Sequence, residues 1–362
     1  MRVGVPTETK SGETRIALTP AGAHALAARG HDVLVQSGAG DRAGVTDADL
    51  AAAGARLVSA QDAWAADLVI KVKEPQPDEL GLLRDNALFT FLHLAANPAV
   101  ADALVRAGTT ALSYDTVQAA DGSLPLLTPM SEVAGRLAVL AGAHHLLGPH
   151  GGRGVLLAGV PGVPGARVTV LGAGVAGSHA IAQAVGLGAD VTAIDLSLPA
   201  LRRLDERHGG RVRTLASTAH AIAAEVEESD LVIGAVLLPG RPAPVVVTEA
   251  MIARMRPGSV LVDIAIDQGG CIEGAVPTTH DDPVRRVAGS QVYAVANMPA
   301  AVGVTATRAL TNATLPYILR LADGVDDAVA GDPALAGGVN VRDGRIVHPA
   351  VAEALGEART PA

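Results

Sequence analysis

The chain has 362 residues, of which 49% are apolar and 18% charged, and its formal net charge at pH 7 is −9. This length allows two ordinary domains with buried cores, and the mild acidity favours neither nucleic acid nor an anionic membrane surface as a partner. The single cysteine, Cys271, excludes an internal disulfide, and no secretory leader or membrane-spanning run is visible, so we expect a soluble protein of the reducing cytoplasm.

Strand-like and helix-like runs alternate along the chain, which predicts an α/β fold with largely parallel sheets. Five strands are predicted in the N-terminal part: Arg2–Pro6, Asp32–Gln36, Asp67–Val72, Ala87–Leu92 and Thr110–Tyr114. Helices are predicted among them at Thr19–Arg29 and Pro98–Ala107. Six more strands are predicted further on: Val168–Leu171, Val191–Ile194, Val212–Leu215, Leu231–Val236, Val260–Ile264 and Val292–Ala296.

Two long helices are predicted to connect these halves. One runs from Ser131, as its N-cap, to Leu147, and the other from Thr305 to Leu321 with a kink at Pro316. We therefore expect two doubly wound, Rossmann-like domains with a cleft between them, joined by long helices. Residues 1–126 and 304–362 would form one domain, which is discontinuous, and residues 127–303 would form the second, Rossmann domain.

A glycine-rich turn between two predicted strands is the strongest motif in the chain. Gly172 permits a tight turn, Gly174 lets the backbone approach a pyrophosphate, and Gly177 lets helix and strand pack closely, with Val175 and Ala176 in the same turn. Asp195 ends the second strand, where it can accept a hydrogen bond from a ribose hydroxyl. No Arg or Lys occurs in residues 196–200, so the pattern predicts NAD rather than NADP.

Polar residues follow several predicted strands, at the edge where open α/β sheets bind ligands. Arg15, Lys73 and His93 are expected to share the edge of the first domain, and Asp267 and Asn297 that of the second, facing the first across the cleft. Each also has an ordinary structural explanation, since a loop arginine is usually solvated, a histidine after a strand is often only hydrogen-bonded, and an aspartate before glycines often makes a turn.

Lysine usage supports a special role for Lys73. The chain has 28 basic residues but lysine only at positions 10, 71 and 73, so its usual cation is arginine. A lysine after a strand suggests a need for a compact ammonium group. Lys71, two residues earlier and within the predicted strand, is expected to lie away from this edge and to tolerate arginine. No metal site is predicted, because neither the adjacent His144 and His145 nor Cys271 matches a metal-ligand spacing.

Several runs resemble the alanine dehydrogenase family, and the match spans nearly the whole chain. They are residues 2–10, 15–20, 71–75, 89–94, 130–136, 262–270 and 296–299. The resemblance implies that Arg15 and Lys73 bind the carboxylate and carbonyl of pyruvate, and that His93 and Asp267 are catalytic. It further implies an NAD site lined by Ser131, Ser217, Val236, Leu237, Ile264, Asp267, Val295, Asn297 and Met298. The family is usually hexameric.

The resemblance implies reversible oxidative deamination of L-alanine to pyruvate and ammonium, with Arg15 and Lys73 orienting the substrate and His93 moving protons. Whether His93 or Asp267 takes the first proton stays open. Two other activities also stay open. One is the NAD(H)-binding subunit of a proton-translocating transhydrogenase, a related protein that binds NADH without turning over pyruvate. The other is an enzyme of the saccharopine dehydrogenase type, which needs a larger pocket.

Overall fold

The structure, a computed structural model, describes residues 1–236 and 243–359. Its strands, in chain order, are β1 Arg2–Val5, β2 Asp32–Gln36, β3 Arg56–Val58, β4 Leu68–Ile70, β5 Ala87–Thr90, β6 Thr110–Ser113, β7 Arg167–Leu171, β8 Asp190–Asp195, β9 Val212–Ala216, β10 Leu231–Gly234, β11 Val260–Asp263, β12 Val284–Val287, β13 Ser290–Tyr293, β14 Val339–Arg342 and β15 Arg345–Ile346.

The α-helices of the described residues alternate with these strands over most of the chain. They are α1 Pro20–Ala28, α2 Asp47–Ala52, α3 Ala60–Trp64, α4 Pro98–Ala107, α5 Thr128–His145, α6 Val175–Gly186, α7 Leu198–His208, α8 Ala219–Glu228, α9 Glu249–Ile252, α10 Gly303–Asp323, α11 Val325–Gly331, α12 Pro333–Gly338 and α13 Pro349–Arg359.

The chain folds into two compact units, each built on its own sheet. The first unit comprises Met1–Met130 together with the segment from Ala300 onward, and the second comprises Ser131–Pro299. The sheet of the first unit has the order β15-β14-β6-β5-β4-β1-β2-β3, in which the six N-terminal strands are parallel and β14 and β15 add an antiparallel edge. The C-terminal segment thus completes the N-terminal sheet.

The second unit is a doubly wound sheet of order β12-β13-β11-β10-β7-β8-β9, with only β12 antiparallel. Along β10, Leu231 and Ile233 belong to one buried cluster and Val232 to another, so successive side chains enter cores on opposite faces. Both faces are therefore covered, which is why these strands are continuous apolar runs. The protein is an α/β protein with two parallel-dominated sheets.

The strand predictions are confirmed in all eleven places, with ends that differ by a few residues. Four strands were not predicted, namely β3, β12, β14 and β15. Strands β3 and β15 are very short, and β12 is polar. Strands β12, β14 and β15 form antiparallel pairs on the outer side of their sheets. A one-sided or edge strand lacks the continuous apolar run on which the prediction depended.

The predicted start of the long central helix was wrong. Helix α5 begins at Thr128, so Ser131 lies within its first turn and is not its N-cap. Pro129 explains the earlier start, because proline is well tolerated in the first turn of a helix and its fixed φ suits that position. The other predicted helices are confirmed as α1, capped by Thr19, α4, and α10, which contains Pro316.

Candidate active site

Three predicted polar residues follow neighbouring strands of the first unit. Lys73 and His93 come shortly after β4 and β5, and Arg15 lies in the loop after β1. These strands are adjacent and parallel in the order β5-β4-β1, so their carboxyl ends meet at one edge of the sheet. The hydroxyl of Thr90 donates to the carbonyl of Lys73 over 2.9 Å, which joins the ends of β4 and β5.

Arg15 is held by a buried carboxylate that the sequence prediction missed. Its Nε and Nη2 donate to Oε1 and Oε2 of Glu13 over 2.7 and 2.5 Å, and its Nη1 lies 2.8 Å from Sδ of Met130. Oε1 of Glu13 also accepts from the backbone N–H of Arg15. The bidentate pair fixes the plane of the guanidinium, so a substrate carboxylate would meet the Nη1 side of the group.

His93 has a carboxylate partner in Asp115, which follows β6 at the same edge. The backbone N–H of His93 donates to Oδ2 of Asp115 over 2.9 Å, and Nδ1 lies 3.3 Å from Oδ1 at ion-pair distance. Ser113 donates to the same carboxylate, and Asn97 donates to the carbonyl of His93. His93 has a left-handed backbone (φ 46°), a strained conformation that these contacts hold in place. With Asp115 beside Nδ1, Nε2 is the ring nitrogen suited to exchange a proton with a ligand.

An aromatic wall packs behind His93. The only two phenylalanines of the chain, Phe89 and Phe91, both pack edge-on against the buried ring of Tyr114. The ring of Phe91 lies parallel to the imidazole of His93, with centroids 5.8 Å apart. In a chain with 2% aromatic residues, this concentration gives one rigid wall to the candidate site.

The glycine-rich turn of the second unit has the geometry of a phosphate-binding loop. Gly172 has φ +102°, which favours glycine, and Gly174 is the N-cap of α6 without a side-chain cap. A Cβ at Gly174 would meet nothing within 4 Å, whereas one at Gly177 would lie 1.8 Å from the carbonyl oxygen of Gly172. The N-terminus of α6 therefore lies close against the loop and open to an anion on the Gly174 side.

Asp195 is the last residue of β8, and its carboxylate accepts hydrogen bonds from the backbone of this turn and of the segment after β8. Its Oδ2 accepts the backbone N–H of Ala173 over 2.5 Å, and its Oδ1 accepts that of Ser197 over 2.6 Å. A carboxylate has about four lone-pair sites, so it can also accept from a ribose hydroxyl. The ribose contact of Asp195 stays a prediction.

Helix α5 approaches the start of α6 through a glycine that the sequence prediction missed. A Cβ at Gly135 would lie 2.1 Å from the carbonyl oxygen of Ala176, so only glycine permits this crossing. Ser131 lies one turn before Gly135 on the same face of α5. The close crossing thus packs α5 against the start of α6.

Asp267 lies in a tight loop after β11 that a buried aspartate organises. Asp263 accepts backbone N–H groups from Ala265, Cys271 and Ile272 over 2.8 to 3.0 Å. Burial raises the pKa of Asp263, although these donors oppose the shift, and burial also raises the pKa of the Cys271 thiol, which makes a reactive cysteine unfavourable. Asn297 follows β13, and its backbone N–H donates to Oδ2 of Asp267 over 3.3 Å, so the two predicted residues are in contact.

The other predicted cofactor residues follow strands of the same sheet. Ser217 follows β9 and its N–H donates to the carbonyl of Asp195, whereas the rest follow β10, β11 and β13, namely Val236, Ile264, Val295 and Met298. They lie at the carboxyl-terminal edge, where the turn Gly172–Gly177 also lies. The predicted residue Leu237 lies outside the described residues.

Two further observations concern metal binding and membrane spanning. Within residues 1–236 and 243–359, no group of three or more His, Cys, Asp and Glu side chains is arranged to hold a metal ion. Among the helices that the structure describes, none is both long and apolar enough to span a membrane.

The residues that were missed share a detectable signal. Glu8 and Glu13 lie in the loop after β1, and Asp115 lies directly after β6, so they obey the same strand-end rule that identified Arg15 and His93. Their role is visible only once their cationic partners are placed.

Models of two protein families match the chain almost end to end. The model described as alanine dehydrogenase/PNT, N-terminal domain, matches residues 4–134, and that described as alanine dehydrogenase/PNT, C-terminal domain, matches residues 138–349.

Individual relatives are similar over the same length. An alanine dehydrogenase of Mycobacterium tuberculosis is 56% identical over 98% of this chain and 97% of its own length. A solved structure of an L-alanine dehydrogenase superposes with a TM-score of 0.96 at 49% identity, covering 99% of each chain. A solved transhydrogenase from Sinorhizobium meliloti superposes with a TM-score of 0.82 at 28% identity, covering 97% of this chain and 100% of the other.

Proposed function

Because the chain belongs to the alanine dehydrogenase family, we propose that it catalyses the NAD-dependent, reversible oxidative deamination of L-alanine to pyruvate and ammonium. The observation that carries the proposal is the 49% identity to an L-alanine dehydrogenase structure over 99% of both chains, with a TM-score of 0.96. The chemistry of the residues at the two sheet edges supports the same reaction. The solved transhydrogenase is less similar, so the role of a transhydrogenase subunit is not favoured.

The residues of the second unit fit a nicotinamide dinucleotide, which the family and the Rossmann-like sheet imply. Gly172, Gly174 and Gly177 would hold the pyrophosphate at the start of α6, and Asp195 would accept from the ribose. The negative charge of Asp195 supports NAD over NADP, since it would repel a 2′-phosphate. When bound, the nicotinamide supplies a hydride acceptor for Cα of the amino acid and, reduced, a hydride donor.

The substrate would be held by two buried cations of the first unit, Arg15 and Lys73. Arg15, with its plane fixed by Glu13, would bind the substrate carboxylate, and Lys73 would place a compact ammonium at the carbonyl oxygen. His93, oriented by Asp115, would transfer protons through Nε2 as water adds to the imine and ammonium leaves. Asp267 is the second acid/base group that we propose, held by Asn297.

The assembly and compartment follow from the family resemblance and from composition. We propose a homo-oligomer, as in a usually hexameric family, that works in the cytoplasm. The single buried cysteine suits a reducing compartment.

A comparison of two substrate pairs distinguishes the three candidate activities. Purified protein is supplied with NADH and either pyruvate plus ammonium or 2-oxoglutarate plus L-lysine, and NADH oxidation is followed alongside direct NADH binding. We expect turnover with pyruvate and ammonium alone. NADH binding without turnover of either pair would support the transhydrogenase-subunit role, and turnover of only the lysine pair would support a saccharopine-type enzyme.

A further inference from the structure

All three lysines of the chain lie in one cluster of charged side chains in the first unit. Lys71 contacts Glu8 and Glu79, and Lys10 contacts Glu74, the residue after Lys73. Three lysines and three glutamates are therefore gathered around one strand end, while 25 arginines supply the positive charge elsewhere. We call the residues Glu8, Lys10, Lys71, Lys73, Glu74 and Glu79 the lysine cluster.

Lys71 is the buried centre of the lysine cluster and lies just beyond the strand in which the sequence prediction placed it. Strand β4 ends at Ile70, and the side chain of Lys71 is fully buried, with Nζ 2.8 Å from Oε1 of Glu79 and 3.4 Å from Oε2 of Glu8. The ammonium also lies 5.5 Å from the ring centroid of Trp64. Burial alone would lower the pKa of Lys71, but Glu8 and Glu79 together raise it, so the ammonium stays charged.

Glu8 connects this buried charge to the backbone of Lys73. Its Oε1 accepts the N–H of Val72 over 2.6 Å, and its Oε2 accepts the N–H of Lys73 over 3.2 Å while facing Lys71. One carboxylate thus holds the two peptide groups that aim Lys73. Burial raises the pKa of Glu8 and Lys71 opposes that shift, so Lys71 helps to keep this carboxylate ionised.

Stability alone is a poor explanation for such an arrangement. Ion pairs in protein interiors lose hydration, and their replacement by apolar residues is often neutral or stabilising. A charged acceptor, in contrast, holds backbone N–H groups more tightly than a neutral one, which is useful where a side chain must be placed accurately.

We propose that Glu8 is a positioning residue for Lys73 and that Lys71 serves to keep Glu8 charged in the interior. This inference rests on the proposed function, in which Lys73 binds the carbonyl of pyruvate. It assigns no contact with substrate to Glu8 or Lys71.

Glu79 provides a matched control, because it shares the contact with Lys71 but not the contacts with Val72 and Lys73. Both glutamates are buried, both contact Nζ of Lys71, and both accept a backbone N–H, but that of Glu79 comes from Gln76 and not from Val72 or Lys73. Glu8→Gln and Glu79→Gln therefore remove the same charge from Lys71, and only the first disturbs Lys73 directly.

The test compares kcat and KM for pyruvate, NADH affinity and Tm in these two variants. We expect Glu8→Gln to lower kcat/KM for pyruvate by tenfold or more, since misplacement of a binding group by about 1 Å can cost roughly a hundredfold. Glu79→Gln should lower Tm similarly but change kcat/KM by less than about threefold, and NADH affinity should be unchanged in both. Equal kinetic losses in the two variants, or unchanged kinetics in Glu8→Gln, would overturn the proposal.

A second variant and a second readout keep the test decisive. If Glu8→Gln does not fold, Glu8→Asp takes its place, because it keeps the charge but withdraws the carboxylate from Val72 and Lys73. We expect Glu8→Asp to show the same kinetic loss. Normal kinetics in this variant would overturn the proposal. Acetic anhydride labelling reports on positioning without turnover, because the chain has only three lysines to resolve by mass spectrometry. Labelling of Lys71 should rise in both glutamine variants, and that of Lys73 only in Glu8→Gln. A parent enzyme without turnover would refute the proposed function, while equal Lys73 labelling in both variants would separately refute the role of Glu8.

Discussion

Replacing Gly177 by alanine should separate α6 from the phosphate-binding loop. The new Cβ would lie 1.8 Å from the carbonyl oxygen of Gly172 and 2.8 Å from its carbonyl carbon, whereas Cβ atoms normally stay at least 3.0 Å from other heavy atoms. Because the obstacle is backbone, the helix and the loop must move apart by about 1.2 Å to relieve the contact.

Two opposing effects set the change in the free energy of unfolding. Overpacking against a rigid neighbour costs about 1–3 kcal/mol, and the gain in helix propensity from glycine to alanine returns up to about 1 kcal/mol. The displaced helix terminus should also lose at least one charge-assisted hydrogen bond to the pyrophosphate, worth about 1.5–3 kcal/mol, or roughly a ten- to hundredfold rise in the Kd for NADH.

Gly186→Ala is the matched control, because Gly186 ends the same helix and a Cβ there would meet nothing within 4 Å. Fluorescence titration with NADH and thermal unfolding should show weaker binding and a lower Tm for Gly177→Ala, but unchanged binding and an equal or higher Tm for Gly186→Ala. If both variants bind NADH as the parent does, close approach of helix and loop is not the role of Gly177.

Three further predictions concern single side chains. Asp195→Ala should raise the Kd for NAD by roughly ten- to hundredfold and raise the ratio of NADP to NAD affinity, and titration with both cofactors giving an unchanged ratio would remove Asp195 from the ribose. Asp115→Asn should lower kcat by about tenfold or more while NADH affinity persists, and stopped-flow turnover equal to that of the parent would show that His93 needs no carboxylate. Burial lowers the pKa of His145, and His144 and His150 add to the shift. The folded state therefore prefers the neutral ring, and the full free energy of unfolding is present above a pH of about 6.5, the ordinary pKa of histidine. Part of this stability is lost as the pH falls through the lower pKa of the folded state. His145→Phe should therefore lose less Tm between pH 7 and pH 5 than the parent, whereas the exposed His220→Asn should not, and parallel curves for parent and His145→Phe would contradict the argument.

The parts of the fold that are local in sequence were predictable. The turn Gly172–Gly177 and Asp195 lie within one strand–helix–strand unit, so their spacing alone indicates a dinucleotide site. Ten of the eleven predicted strands are mostly buried, with the edge strand β9 as the exception, and burial on both faces requires a continuous apolar run in the sequence. The antiparallel strands β14 and β15 carry no such run, and the pairing of β14 with β6 joins residues more than 200 positions apart.

In the first unit, the candidate site was predictable in its basic residues and not in its carboxylates. Arg15, Lys73 and His93 stand out because each follows a strand. Glu8 acts on Lys73 across 65 positions, so no local pattern marks their contact. The burial of Lys71 between Glu8 and Glu79 was not predictable either, since a lysine near a strand end gives no sign in the sequence of the glutamates that enclose it.

The central claim is that the protein transfers hydride directly between a nicotinamide and Cα of alanine. Parent protein is incubated with NADH deuterated at C4 of the nicotinamide, pyruvate and ammonium, and the product is analysed by mass spectrometry and chiral chromatography. When the deuterium is on the transferred face of the nicotinamide, we expect L-alanine that carries deuterium at Cα. One L-alanine should form for each NADH oxidised. Alanine without deuterium from either face of the cofactor, or no alanine despite tight NADH binding, would contradict this claim.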